Sequence, residues 1–161
     1  ILFDTKFKKI VDDVIVQKVE DLNYKTYDPQ GCTALYDAVG FEIENYVDLL
    51  ASLPKEERSE KTLFVILTDG QENSSKIFHK YLLKNMIESA REYLGIEFIY
   101  LGANQDSFLA ATDIGISGSN SYNYAATTDG IKVAYSKISE ATAYYVNNDA
   151  KEDLFQQKKE K

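Results

Sequence analysis

One cysteine, Cys32, and one histidine, His79, are all that this chain of 161 residues holds of thiol and imidazole side chains. A lone cysteine excludes an internal disulfide and a metal-thiolate cluster, and it favours a reducing, cytoplasmic setting. A lone histidine argues against a zinc site or a His-centred triad. His79 lies in a polar stretch and is read as an exposed helix residue. Nowhere does an apolar run approach the roughly 18 residues needed to span a membrane. Positive charge is scarce as well. Lys and Arg number 18 against 26 Asp and Glu, for a net charge of −8 and a pI near 4.7. A nucleic-acid partner calls for a basic face, so none is expected. The one basic cluster, Lys158, Lys159 and Lys161, belongs to a mixed-charge tail and is read as solvated. No signal peptide is visible, and the chain opens with Ile1 rather than Met. It therefore reads as processed or as a fragment.

What the chain does have is an unbroken apolar run, Leu63-Phe64-Val65-Ile66-Leu67, ending in Thr68-Asp69-Gly70. Such a run is expected to be a strand buried on both faces of a parallel sheet. It places a carboxylate where the strand breaks into a turn, and ligand crevices of open α/β sheets lie outside those strand ends. Asp before Gly is also an ordinary turn residue, so Asp69 has two readings at this stage.

The remaining segments alternate. Ile1-Leu2-Phe3 reads as the end of a strand, and Phe7 to Val16 as a second one. Together they form an antiparallel hairpin at one side of the sheet, with Asp12-Asp13 a bulge or kink. Gln17 to Gln30 is loop. Leu35, Val39, Ile43, Tyr46, Val47 and Leu50 make the apolar stripe of a helix, with Thr33 as its N-cap. A second helix carries Leu83, Ile87, Ala90 and Leu94 and stops at Gly95. Ile96 to Leu101 is a buried strand. Asp106 caps a short helix, Ser107 to Asp113, and Gly115 to Asn120 is a loop. Tyr122 to Ala125 is a last strand, and Thr127-Thr128-Asp129 opens a final helix with Ile131, Ala134, Tyr135, Ile138, Ala141 and Tyr145 inward. The pattern implies one α/β domain over residues 1–147, then a charged tail, 148–161, frayed or disordered. Its fold class is a doubly wound, mostly parallel sheet with one antiparallel edge strand.

Two points bring oxygen atoms to one edge of such a sheet. Gly31-Cys32-Thr33-Ala34-Leu35-Tyr36-Asp37-Ala38 sets a hydroxyl at a helix start, and Leu67-Thr68-Asp69-Gly70 sets a carboxylate at a strand end. With Leu101-Gly102-Ala103-Asn104-Gln105-Asp106 after the next strand, this combination resembles the von Willebrand factor A family, in a bacterial or phage intracellular branch. The resemblance runs from Ile1 to about Asn147. It implies a Rossmann-like fold and a metal-ion-dependent adhesion site with Thr33 and Asp69 as metal ligands, Mg²⁺ as the ion and a partner carboxylate completing the shell. The family's first ligand motif, Asp-x-Ser-x-Ser, is absent. The chain matches the family from its second strand onward, an N-terminal truncation of roughly 30 residues or more. The missing central strand would leave inner sheet edges open, to be filled from upstream, from another chain or by dimer pairing.

The resemblance thus implies a non-catalytic, Mg²⁺-dependent protein-binding module, with weak or absent Mg²⁺ binding in this chain and possible homo-oligomers through exposed sheet edges. Two rivals stand beside it. One is a scaffold whose metal site is vestigial. The other is a metal-assisted hydrolase using Asp69, for which no nucleophile–base pair or phosphate loop is visible. Asp37 is expected to hydrogen-bond locally, and Cys32 to be a small semi-buried residue, with a reactive thiol the alternative. Asn73, Asn104, Gln105 and Asp106 could touch a ligand, but turn and cap chemistry is their default.

Overall fold

In the computed structural model, which describes residues 1–21, 31–103, 105–148 and 150–155, a parallel sheet carries helices on both faces. Most of the polar loop read at 17–30, Asn104, Asp149 and the lysines at 158, 159 and 161 lie outside the described residues. The elements in order are β1 (Leu2–Phe3), β2 (Phe7–Lys8), α1 (Leu35–Ser52), β3 (Thr62–Thr68), α2 (Lys80–Leu94), β4 (Ile96–Ala103), α3 (Ser107–Asp113), β5 (Ser121–Tyr124) and α4 (Thr128–Asn147).

β3, β4 and β5 form one parallel sheet in that order. Thr62 pairs with Ile96 and Thr68 with Gly102, while Tyr100 pairs with Ser121 and Ala103 with Tyr124. β4, in the middle, is buried at every position. Period-two alternation divides its side chains between two cores. Ile96, Phe98 and Tyr100 join Leu35, Val39 and Ile43 of α1 and Leu83, Ile87 and Ala90 of α2. Ile99, Leu101 and Ala103 join Ala134, Ala141 and Tyr145 of α4. Each fully buried aliphatic side chain of this kind contributes about 1.5–3 kcal/mol.

Several expectations change. The run Leu63–Leu67 is a strand but not one buried throughout: β3 lies at the sheet's edge, and Val65 is 42% exposed. Apolar content on both faces signals a central strand only when a neighbour exists on each side, and β4 is the sole one among the described residues. The antiparallel hairpin is a separate two-stranded ladder, with Leu2 opposite Lys8 and Phe3 opposite Phe7, not an edge of the main sheet. The strand expected to reach Val16 ends at Lys8. Beyond it Val14, Ile15 and Val16 are exposed, Asp13 turns to φ +46°, and Val16–Lys18 is a 3-10 turn. Strand-forming residues without a partner strand gain nothing from extending.

Helix ends are closer to expectation. Gly95 ends α2 in the left-handed region at φ +67°, where a Cβ would be strained. Asp106 caps α3 by accepting the Leu109 N–H at 3.1 Å, and Thr127 caps α4 by accepting from Gly130 at 3.0 Å. Thr33 does not cap α1; that position is Ala34, with no side-chain cap of its own. Val47, Leu94 and Tyr135 turn outward from their expected stripes. Within the stretch read as a tail, Leu154 and Phe155 are buried in the α4-side core. No helix among the described residues is long and apolar enough to cross a membrane.

Candidate functional site at the carboxyl end of the sheet

β3 ends in a turn tied by its own hydroxyl. Thr68 Oγ1 donates to the Gly70 carbonyl at 3.0 Å and accepts the Gly70 N–H at 3.3 Å. Thr68 is buried, whereas Asp69 is exposed, and no partner of its carboxylate occurs among the described residues. Gly70 faces Thr33: a Cβ at Gly70 would stand 2.5 Å from Thr33 Oγ1. Glycine is needed here for close approach. The Thr33 hydroxyl therefore sits one residue from Asp69, across two loops separated by more than thirty positions in the chain.

The two loops are bound to each other by reciprocal hydrogen bonds. Thr33 N–H donates to Asn73 Oδ1 at 2.8 Å, and Asn73 N–H donates to the Thr33 carbonyl at 3.0 Å. On the far side, Cys32 N–H donates to Thr5 Oγ1 at 3.0 Å and Ala34 N–H to the Asp4 carbonyl at 2.7 Å. Cys32 itself is exposed, not semi-buried.

The start of α1, uncapped locally, is capped from the second loop. A helix leaves its first N–H groups without partners, and here Tyr36 N–H donates to Glu72 Oε2 at 2.9 Å and Asp37 N–H to Ser75 Oγ at 3.0 Å. Glu72 also accepts the N–H groups of Ser74 and Ser75 and the Ser75 hydroxyl, at 2.7–2.9 Å. A carboxylate at this end also meets the positive pole of the helix.

Asp37 returns the favour. Its carboxylate accepts the N–H groups of Lys76, Ile77 and Phe78 at 2.8, 2.9 and 2.8 Å. These bonds run to a loop some forty residues ahead, so the local role expected for Asp37 is corrected. Burial pushes its carboxyl pKa up, but the three backbone donors and the Lys76 charge outweigh burial and hold it below the usual range. His79 is exposed as expected, yet it precedes α2 rather than lying in it: its Nδ1 accepts the Leu82 N–H at 3.3 Å as N-cap.

Beneath this edge the sheet is buried. Tyr100 is 1% exposed, and burial drives its hydroxyl pKa up to about 12. Ser74 Oγ is buried without a hydrogen-bond partner among the described residues, and the Gln105 side chain lies at the Tyr100 hydroxyl. Gln105 and Ser107 pack against Gly102, and Asp106 is spent on capping.

Thr33 and Asp69, singled out from sequence, thus belong to adjoining loops on one edge. The roles of Glu72 and Ser75 escaped the sequence reading. The available signal was Ala34 itself, since a helix with no Ser, Thr, Asp or Asn at its cap position takes the acceptors for its first N–H groups from elsewhere. No group of three or more His, Cys, Asp or Glu suited to holding a metal ion is found among the described residues. Comparison with family models, with curated proteins and with solved structures finds no match to this chain.

Proposed function

We propose that this chain is a non-catalytic protein-binding module of the von Willebrand A type, with a doubly wound, Rossmann-like sheet and a Mg²⁺-dependent site at Thr33 and Asp69. The observation that carries the reading is the seat of Thr33 Oγ1 against Gly70, beside an exposed Asp69. A hydroxyl and a carboxylate are hard oxygen donors of the kind Mg²⁺ takes. Two protein donors leave about four of six octahedral positions to water and to a partner's oxygen. The ion is then under-neutralised, and an acidic side chain on a partner protein is the natural completion. The same reading puts its work in the cytoplasm of a bacterium or of a phage-infected cell.

Amide chemical shifts of the chain, followed during titration with MgCl₂, test it. Weak, millimolar binding is expected, with shifts centred on Thr33, Asp69 and Gly70 and lost in Asp69→Ala. Asp69 is exposed, so that variant should stay folded. Shifts that ignore the substitution, or that gather elsewhere, reject the proposal.

A second reading, a scaffold with a vestigial metal site, draws on a different observation. The other oxygens at this edge, those of Asp37, Glu72, Asn73 and Ser75, are already committed to backbone N–H groups. No Mg²⁺-induced shift at any attainable concentration would favour it.

A further inference from the structure

α1 and α2 run side by side on one face of the sheet. Gly40 of α1 meets Phe78, just ahead of α2, and further along residues 43–48 of α1 face residues 85–94 of α2. Between the two helices lies a groove of about 620 Å³, open to solvent. Its floor is Ile43, Met86 and Ala90, which belong to the core beneath. Val47, Tyr93 and Leu94 line it as well and are exposed. Large apolar side chains gathered on one exposed strip, with polar residues at the rim, mark a surface that takes a partner.

The charge at that rim has one sign. Glu44 and Asp48 stand one turn apart on the α1 wall, both exposed, and neither carboxylate has a hydrogen bond or ion pair among the described residues. α1 contains no lysine or arginine. The three cations of α2 are paired elsewhere, Lys80 with Asp113, Lys84 with Glu88 and Arg91 with Glu97. We propose that this groove docks a basic amphipathic helix of a partner protein. The apolar face of that helix covers Val47, Met86 and Leu94, and two of its lysines or arginines one turn apart meet Glu44 and Asp48. The exposed ring of Tyr93 offers a further cation a face to lie on.

The form of the partner follows from the walls. Both are helices whose backbone groups are bonded within themselves, so an extended segment laid between them would leave its own N–H and C=O groups without partners. A helix satisfies its own, and helix-in-groove is a standard mode of recognition. Ser89 and Ala90, small residues halfway along the groove, let its axis come close. Residues 85–94 rise about 14 Å, so roughly three helical turns fill the length. The groove is also clear of the strand that the von Willebrand A reading places beside β3. A crossover from that strand to the β1–β2 hairpin runs across the sheet in the opposite sense to β3–α2–β4, and right-handedness then puts its helix on the α4 face. The inference stands apart from the metal-site reading, since no residue of the groove belongs to that site.

The probe is an acetylated and amidated peptide of about 15 residues, with leucine on one helical face and lysine along its flanks. Its counterpart has glutamate for every lysine. Titrated into the chain, the lysine peptide should shift the amides of Val47, Met86, Ser89 and Tyr93, and the glutamate peptide should bind at least about tenfold more weakly. Glu44→Lys/Asp48→Lys turns two attractions into two repulsions and should weaken the lysine peptide about tenfold at about 0.15 M salt. Glu56→Lys/Glu57→Lys makes the same change of net charge outside the groove and should leave binding within about twofold. Ser89→Tyr fills the groove at its midpoint without altering charge and should weaken binding at least about fivefold. The substituted positions are all exposed, so circular dichroism spectra should not change. No saturable binding up to about 1 mM overturns the proposal, as do shifts outside the groove or equal binding of the two peptides. So does an equal loss in the two lysine double variants, or indifference to Ser89→Tyr. Sedimentation showing a dimer that Ser89→Tyr dissociates would make the occupant a second copy and overturn it too.

Discussion

Asp37 Oδ1 accepts the N–H of Phe78 at 2.8 Å, and the ring so positioned lies directly over Gly40, one turn further along α1. One carboxylate thus anchors the loop after β3 and seats its aromatic side chain on the helix that bears the carboxylate. Phe41 adds an edge-on contact to Phe78, with centroids 5.0 Å apart. The loop bearing Asp69 and the loop bearing Thr33 owe their relative position to this clasp as much as to the sheet.

Asp37→Ala removes the acceptor of three backbone donors and should cost about 2–3 kcal/mol in denaturant unfolding, in line with hydrogen bonds to charged groups. The pH dependence has a definite sign. The folded carboxyl is depressed, so its stabilisation is complete above the unfolded value of about 3.9 and is lost as pH falls through the lower folded value. Wild-type and Asp37→Ala stabilities should therefore converge in acid, below about pH 4. A gap that stays constant down through that window would show that the charge is not responsible.

Gly40→Ala should fail for a steric reason. A Cβ there would lie 2.5 Å from Phe78 Cγ, and Phe78 is buried, so the ring has little room to withdraw. Overpacking of this kind costs about 1–3 kcal/mol. Pairing Gly40→Ala with Phe78→Leu should recover part of the loss in a double-mutant cycle, and strict additivity would contradict the contact.

Glu72→Ala strips the remote cap from α1 and should cost about 1–2 kcal/mol, the usual range for a lost N-cap. Hydrogen exchange locates the effect. The amides of Tyr36, Ser74 and Ser75 should exchange faster, while those of Leu83 and Ile87 in α2 should not. Uniform acceleration across both helices would point to a global rather than a capping role.

Glu97, in the wholly buried β4, has its carboxyl pKa raised by burial despite the Arg91 Nε at 3.2 Å. Arg91→Ala would remove the cation hydrogen-bonded to that buried charge and leave it only the Lys151 charge, a loss of up to about 3–5 kcal/mol at neutral pH. Because the folded value is raised, the penalty is absent below the unfolded value of about 4.3 and grows as pH rises toward the folded one. Melting temperatures of Arg91→Ala should approach wild type on acidification. A deficit that does not shrink with acid would refute this account.

The elements between Leu35 and Asn147 were legible because their signals are local. The spacing of Leu83, Ile87 and Ala90 reads as a helix face, Gly95 as its stop, Asp106 as a cap and Thr127-Thr128-Asp129 as the start of α4. The N-terminal strand was misread for the complementary reason. Ile10, Val11, Val14 and Val16 have strand character, but a strand exists only through hydrogen bonds to a neighbour, which no single segment specifies.

By itself, then, the sequence determined the order of strands and helices, the apolar faces and the acidic, disulfide-free character, since each follows from side chains a few positions apart. Only the tertiary structure decided that β4 rather than β3 is the covered strand, that Thr33 leans on Gly70 instead of capping α1, and that Asp37 and Glu72 clasp each other's loops. Those outcomes join residues some forty positions apart, and such pairings are selected by the burial of the whole chain, where an unpaired N–H or a missing neighbour strand carries its cost.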